Sequence, residues 1–159
     1  MRKIDLLLSE YGISHQHPTN KTIHWICVPA IFFSIVGLIF SIPAGPLEVL
    51  SPLIGDFANW ATVVLAVVLF YYAALSPPLA LGMFLFSSLC LAIANLTTIL
   101  SPVPLWAVCL IIFLVAWAFQ FYGHKVEGKK PSFLKDVQFL LIGPAWLMHF
   151  IYKRFGFAY

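Results

Sequence analysis

Charged residues are scarce in this chain: Asp, Glu, Lys and Arg make up only 9% of its 159 residues, whereas 62% are hydrophobic. Soluble domains average about 25% charged and roughly 45–50% apolar residues, so this composition excludes an ordinary soluble domain. A disordered tail and a coiled coil are excluded for the same reason. The net charge of +3 is too small for a nucleic-acid-binding surface. The sequence therefore predicts one integral membrane domain that covers residues 1–159.

Several familiar motifs are absent as well. The three cysteines, Cys27, Cys90 and Cys109, are odd in number and lie within apolar runs, which argues against a disulfide framework. The chain has no Gly-rich phosphate loop, nucleophile elbow, zincin motif or CxxC pair. These absences argue against the enzyme classes that such motifs identify.

Four apolar stretches are each long enough to cross a bilayer, which takes about 20 residues. They lie at residues 25–42, 57–75, 79–100 and 103–123. Prolines separate them, and proline stops a helix because it lacks the backbone N–H and clashes with the preceding turn. We therefore expect an all-α bundle of four transmembrane helices. Asn59 and Asn95 are the strongly polar interruptions, and we expect them to form interhelical hydrogen bonds.

The two ends of the chain differ from these spans. Ile4, Leu7, Leu8 and Tyr11 recur at helical spacing and predict a short interfacial helix with one apolar face, which lies on the membrane surface. Residues 137–152 form a shorter apolar stretch interrupted by Gly143-Pro144, which favours a re-entrant or interfacial helical hairpin. Ahead of the first span, Pro18 precedes Thr19 and Asn20, either of which would serve as the N-cap.

Basic residues are absent from one side of this predicted topology. The loops at 43–56 and 101–102 contain no Lys or Arg, whereas all nine basic residues lie on the side that carries both termini. The positive-inside rule assigns that side to the cytoplasm.

Histidine is the most informative polar residue, because all five histidines fall at the predicted cytoplasmic face although they are far apart in sequence. They are His15, His17, His24, His124 and His149. Asn20 lies four residues before His24, so the two side chains share a helix face. Gln120, His124 and Glu127 are spaced by four and three residues, which places them along one stripe of the fourth span.

This pattern has two interpretations. A His and a Glu three residues apart can bind one metal ion, as in helical di-metal proteins. Imidazole with a carboxylate suits Fe(II), and imidazole alone would also suit zinc. Ordinary interfacial roles fit as well, with His17 as a snorkelling or capping residue and Glu127 as an exposed, ion-paired helix end. Spacing by itself leaves both interpretations open.

Two longer strings resemble a known family. The first reads Y-x3-H-x4-N-x3-H-x4-P from Tyr11 to Pro29, and the second reads Q-F-x-G-H-x2-E-x3-P from Gln120 to Pro131. Over nearly the whole chain they resemble the small multi-pass family of 2-hydroxy-fatty-acid dioxygenases, whose fungal member acts in phytosphingosine breakdown. The Ser-Pro-Pro turn and residues 143–149 are similar to the bacterial branch, which implies a bacterial inner membrane rather than the endoplasmic reticulum.

The resemblance implies an Fe(II)-dependent enzyme. Its substrates would be O2 and a 2-hydroxy long-chain fatty acid, and its products the acid one carbon shorter and CO2, with no need for 2-oxoglutarate. The expected partners are this substrate, O2 and membrane lipids, with no nucleic acid. The implied metal ligands are His15, His24 and His124, with His149 as a fourth.

The remaining motif residues receive supporting roles from the same resemblance. Glu127 is implied to be a metal ligand or an acceptor for an imidazole N–H. Asn20 and Gln120 would orient ligands or bind the substrate carboxylate. Apart from the resemblance, Lys125 or Lys130 could supply a positive charge to that carboxylate.

A function of another class remains as the alternative. The chain would then be a non-enzymatic membrane scaffold or a lipid-binding protein whose histidines anchor it at the interface. A transporter is disfavoured, because the spans contain no ionisable residue at mid-membrane, where coupling sites usually lie.

Overall fold

The computed structural model describes residues 2–128 and 133–157, and within these ranges the side chains outside 133–138. The secondary structure of this part of the chain consists of helices without strands, which confirms the all-α prediction. Its α-helices are α1 (Lys3–Ile13), α2 (Pro18–Phe40), α3 (Ser51–Ile54), α4 (Trp60–Leu75), α5 (Pro77–Leu100), α6 (Leu105–Glu127) and α7 (Phe133–Phe155). Short 3-10 turns flank α3.

Three of the predicted spans are single long helices. Helices α2, α5 and α6 have 23 or 24 residues each and are apolar enough to cross a membrane. At about 1.5 Å per residue they exceed the hydrocarbon core of a bilayer, which is about 30 Å thick. The fold is therefore that of a helical membrane bundle, as the sequence predicts.

The span predicted at residues 57–75 is shorter than expected. Helix α4 has 16 residues, and the segment Gly45–Phe57 before it is bent from it by 80°. Gly55 turns the chain there with a φ of +57°, a conformation that favours glycine. Asn59 then caps α4, because its side-chain oxygen accepts a hydrogen bond from the Thr62 N–H at 3.1 Å. The predicted interhelical role of Asn59 was therefore wrong.

The C-terminal stretch is one continuous helix. The hairpin predicted at Gly143-Pro144 was wrong, because α7 runs through this pair with Pro144 inside it. The missing Pro144 N–H costs one helical hydrogen bond, but packing holds the helix together, since Ile142 and Ala145 are fully buried. Tyr72 of α4 also donates a hydrogen bond to the Leu141 carbonyl at 2.6 Å, close to the interruption.

Helix α1 has the apolar face that the sequence predicts, but α7 covers it. The four residues of this face are buried and belong to the same core cluster as Ile142, Ala145 and Trp146. The apolar face is therefore buried inside the protein, and the position of α1 at the membrane surface stays a prediction.

Helices α2 and α6 form the central pair of the bundle. A Cβ on Gly37 of α2 would collide with the Cys109 Sγ, and a Cβ on Gly123 of α6 would collide with the Asn20 Oδ1. These close approaches join opposite ends of the two sequences, so α2 and α6 run antiparallel. Their pairing brings the start of α2 to the end of α6, where the motif histidines lie.

Candidate metal centre

Three histidines from the two halves of the chain meet at this end of the bundle. His15 lies between α1 and α2, His24 lies on α2, and His124 lies in the last turn of α6. One ring nitrogen from each lies within 4.8 Å of the other two. The ring centroids of His15 and His24 are 4.2 Å apart. The ring centroid of His124 lies 5.3 Å from that of His15 and 5.1 Å from that of His24. Such a group could hold a metal ion.

The hydrogen bonds of two rings define which nitrogen is free to bind a metal. The Nδ1 of His15 lies 2.6 Å from the Tyr11 carbonyl oxygen, and the Nδ1 of His24 lies 2.9 Å from that of Asn20. Since a carbonyl oxygen can only accept, each Nδ1 must carry the proton and donate it. The Nε2 of each ring is therefore left with a lone pair, the form that metals bind.

The buried Nε2 of His15 has no hydrogen-bond partner in the described part of the chain. An unsatisfied buried acceptor costs about 1–3 kcal/mol, so its presence calls for an explanation. A metal ion at the centre of the three imidazoles would supply the missing partner. The donor set and this orphaned nitrogen thus fit a metal centre.

The charge state of His15 agrees with this interpretation. Its side chain is only 2% exposed, and burial lowers the pKa of His15 to about 4. The imidazole is therefore neutral at pH 7. Because metals bind the deprotonated ring, no proton has to be removed from His15 before a metal binds.

Aromatic rings hold His15 in place from α1 and α7. Tyr11 stacks on the imidazole with a centroid distance of 4.1 Å and an angle of 9° between the ring planes. The indole of Trp146 lies 5.5 Å from the His15 ring and 5.3 Å from the Tyr11 ring. This stacking was not predicted from the sequence, because helical spacing only assigns Tyr11 to an apolar face. The sequence signal for this stacking is that Tyr11 begins the first motif, which also contains His15.

Glu127 contacts the loop between α1 and α2 rather than an imidazole. Its Oε1 accepts a hydrogen bond from the Gln16 backbone N–H at 2.9 Å, and its Oε2 accepts one from that of His17 at 2.8 Å. The side-chain amide of Asn20 adds a third hydrogen bond at 3.2 Å. These contacts match neither implied role of Glu127, as a ligand or as an imidazole acceptor. They also differ from an ion-paired helix end.

Asn20 and Gln120 are both buried, and each lies four residues before a histidine of the group. The amide nitrogen of Asn20 donates to Glu127 and to the Ser14 carbonyl, so it is already engaged, while its backbone carbonyl orients His24. Gln120 lies one turn before His124 on α6 and is 9% exposed.

The other predicted residues lie apart from the three-histidine group. His149 is half-buried on α7, with its ring 5.3 Å from that of Phe150, and the structure does not bring it into the group. Lys125 is exposed, and Lys130 lies outside the described residues. His17 is the N-cap of α2, since its Nδ1 accepts the Thr19 N–H at 3.2 Å. The capping interpretation of His17 is confirmed, and the N-cap predicted at residues 19 or 20 was wrong because Pro18 already begins the helix.

The position of His149 leads to a first prediction. We expect His149→Ala to keep the full metal content of the wild-type protein, because three imidazoles form the group without it. Elemental analysis of the purified variant measures this directly. A loss of metal equal to that of a His24→Ala variant would restore His149 as a fourth ligand.

Comparisons with known proteins agree with the motifs. A family model described as "2-hydroxy-palmitic acid dioxygenase Mpo1-like" matches residues 1–155. The chain is also 30% identical over 153 residues to the 2-hydroxy-palmitic acid dioxygenase MPO1 of Saccharomyces cerevisiae, a match that covers 94% of this chain and 80% of that protein. No solved structure matches the chain significantly. The resemblance seen in the two motifs is confirmed, and the chain belongs to the Mpo1-like family of 2-hydroxy-palmitic acid dioxygenases.

Proposed function

We propose that the protein is a non-haem, Fe(II)-dependent dioxygenase that shortens 2-hydroxy long-chain fatty acids by one carbon. The observation that carries this proposal is the group formed by His15, His24 and His124, which combines close ring nitrogens with an orphaned Nε2. Membership of a dioxygenase family supports the reaction class.

The three imidazoles would hold the metal through their ring nitrogens. A set of three protein ligands leaves coordination positions open for small molecules. When bound, Fe(II) supplies the redox chemistry by which O2 reacts with the substrate. Zinc would suit the same imidazoles but has no redox chemistry, so the dioxygenase family favours iron.

The overall reaction balances without a further reductant. A 2-hydroxy acid, RCH(OH)COOH, and O2 give RCOOH, CO2 and H2O. The bond between the carboxyl carbon and the hydroxyl-bearing carbon breaks, and the substrate supplies all four electrons that reduce O2. This accounts for a site that needs no 2-oxoglutarate.

The residues around the metal would bind the polar head of the substrate, while the membrane accommodates its tail. We place the substrate carboxylate near Gln120, the buried amide one turn from His124. The histidines lie at the ends of the membrane-crossing helices α2 and α6, so the acyl chain can stay in apolar surroundings. Leaving it there avoids a cost of about 0.8 kcal/mol for each CH2 transferred to water.

The site would face the cytoplasm of a bacterial inner membrane. All nine basic residues lie on the side of the three histidines when four spans are assumed. The positive-inside rule then supports a cytoplasmic site and cytoplasmic termini.

Product analysis tests this function. We expect the purified protein, supplied with Fe(II) and air, to convert 2-hydroxypalmitate into the C15 acid with release of CO2. Palmitate, which lacks the hydroxyl group, is the matched control and should remain unchanged. Mass spectrometry of the fatty acids measures both. Binding of 2-hydroxypalmitate without conversion would contradict the enzyme and favour the lipid-binding alternative.

A further inference from the structure

A single carboxylate joins the two parts of the chain that carry the three histidines. Glu127 lies three residues after His124, at the end of α6. Its carboxylate accepts three hydrogen bonds from the segment at residues 16–20, which lies between His15 and His24. The carboxylate therefore links residues that are 107 to 111 positions apart in sequence.

The electrostatics of this contact favour a carboxylate over a neutral group. The backbone N–H groups of Gln16 and His17 lie just ahead of α2, where the helix dipole is positive. Helix N-termini stabilise anions for this reason. Hydrogen bonds to an ionised acceptor are also about twice as strong as those between neutral groups.

Asn20 extends the contact into the helix interface. Its amide bridges Glu127 and the Ser14 carbonyl, and its Oδ1 lies against Gly123. Gly123 directly precedes His124, and Asn20 accepts the Nδ1 proton of His24 through its backbone carbonyl. Every residue of this network thus lies within four positions in sequence of one of the three histidines.

We propose that Glu127 is a positioning residue, a carboxylate latch that holds the His15–His24 segment against the end of α6 so that the three imidazoles face one another. This inference rests on the proposed metal centre and replaces the roles that the motif alone implies for Glu127. The latch acts through the Gln16 and His17 amides and not through contact with the metal.

Amide exchange measures the latch itself, without any metal. In metal-free protein, we expect Glu127→Gln to speed exchange of the Gln16 and His17 amides by about tenfold or more, because a hydrogen bond to a charged acceptor is lost. Glu127→Asp keeps the charge and should lie between this variant and the wild type. Glu48→Gln removes an exposed carboxylate from the 3-10 turn ahead of α3 and is the matched control. Unchanged exchange in Glu127→Gln would overturn the latch.

Co(II) binding measures whether the latch positions the imidazoles. We expect Glu127→Gln to weaken Co(II) binding by roughly 10–100-fold, as for other groups that orient metal ligands. The visible absorption of bound Co(II) should change as well, with partial recovery in Glu127→Asp and none of these effects in Glu48→Gln. A purely structural role would lower thermal stability and leave the Co(II) spectrum as in the wild type.

The two measurements separate failure of the latch from failure of the metal centre. Faster exchange with wild-type Co(II) affinity and spectrum would show that the contact exists but does not position the ligands, which overturns the proposal. Wild-type protein that binds no Co(II) would remove the metal centre and with it the positioning role, even if exchange responds as expected.

Discussion

Replacing His24 by alanine is expected to abolish stoichiometric metal binding while leaving the helical fold intact. The variant removes one of three imidazoles in the group and leaves the orphaned Nε2 of His15 without the ion that would satisfy it. Since groups that only orient ligands change affinity by roughly 10–100-fold, loss of a ligand should weaken binding by at least about 100-fold. His124→Ala should behave in the same way. Iron per chain, measured by elemental analysis, and circular dichroism check both expectations.

His17→Ala is the control for this experiment. His17 is an exposed N-cap two residues from His15 and does not belong to the three-histidine group. Loss of the cap should lower stability by about 1 kcal/mol but leave the iron content unchanged. Wild-type iron content in both His24→Ala and His124→Ala would contradict the metal centre and the dioxygenase proposal together.

Trp146→Ala is expected to lower the free energy of unfolding by about 3–5 kcal/mol, the usual cost of deleting a large buried aromatic side chain. Trp146 is 4% exposed and contacts Tyr11 of α1 and Phe150 of its own helix, with ring centroids 5.3 and 4.7 Å apart. Its loss leaves a cavity between α1 and α7. Unfolding in mixed micelles with increasing SDS measures the change.

Trp106→Ala provides a matched comparison for this packing. Trp106 lies on α6 and is 54% exposed, so its removal creates no cavity and should cost less than about 1 kcal/mol. Equal losses for the two variants would mean that Trp146 does not stabilise the contact of α1 with α7. In that case His15 would have to be held by the Tyr11 stack alone.

Local sequence determined the helices and their apolar character. Long apolar runs have one stable form in a bilayer, because every backbone N–H and C=O must be bonded within the segment. Residues 79–100 and 103–123 were therefore assigned to α5 and α6 from composition and proline positions. The motif histidines were identified in the same way, from residue type and spacing.

The predictions made from Pro144 and Asn59 were wrong, because tertiary packing decides the structure at these two positions. Pro144 costs one hydrogen bond, which suggests a break, yet the buried neighbours of this residue keep α7 continuous. From the sequence, Asn59 is expected to lie inside a membrane span. The turn at Gly55 instead places it at the start of α4. In both places the outcome depends on contacts with distant residues.

The sequence by itself determined that this protein is a helical membrane bundle with histidines at one face, and it identified which of them belong to the motifs. Only the tertiary structure decided that His15, His24 and His124 meet, that His149 stays apart and that Glu127 bonds to the loop at Gln16 and His17. The reason is physical: helix formation depends on neighbours in sequence, whereas the distances between imidazoles depend on the antiparallel packing of α2 against α6.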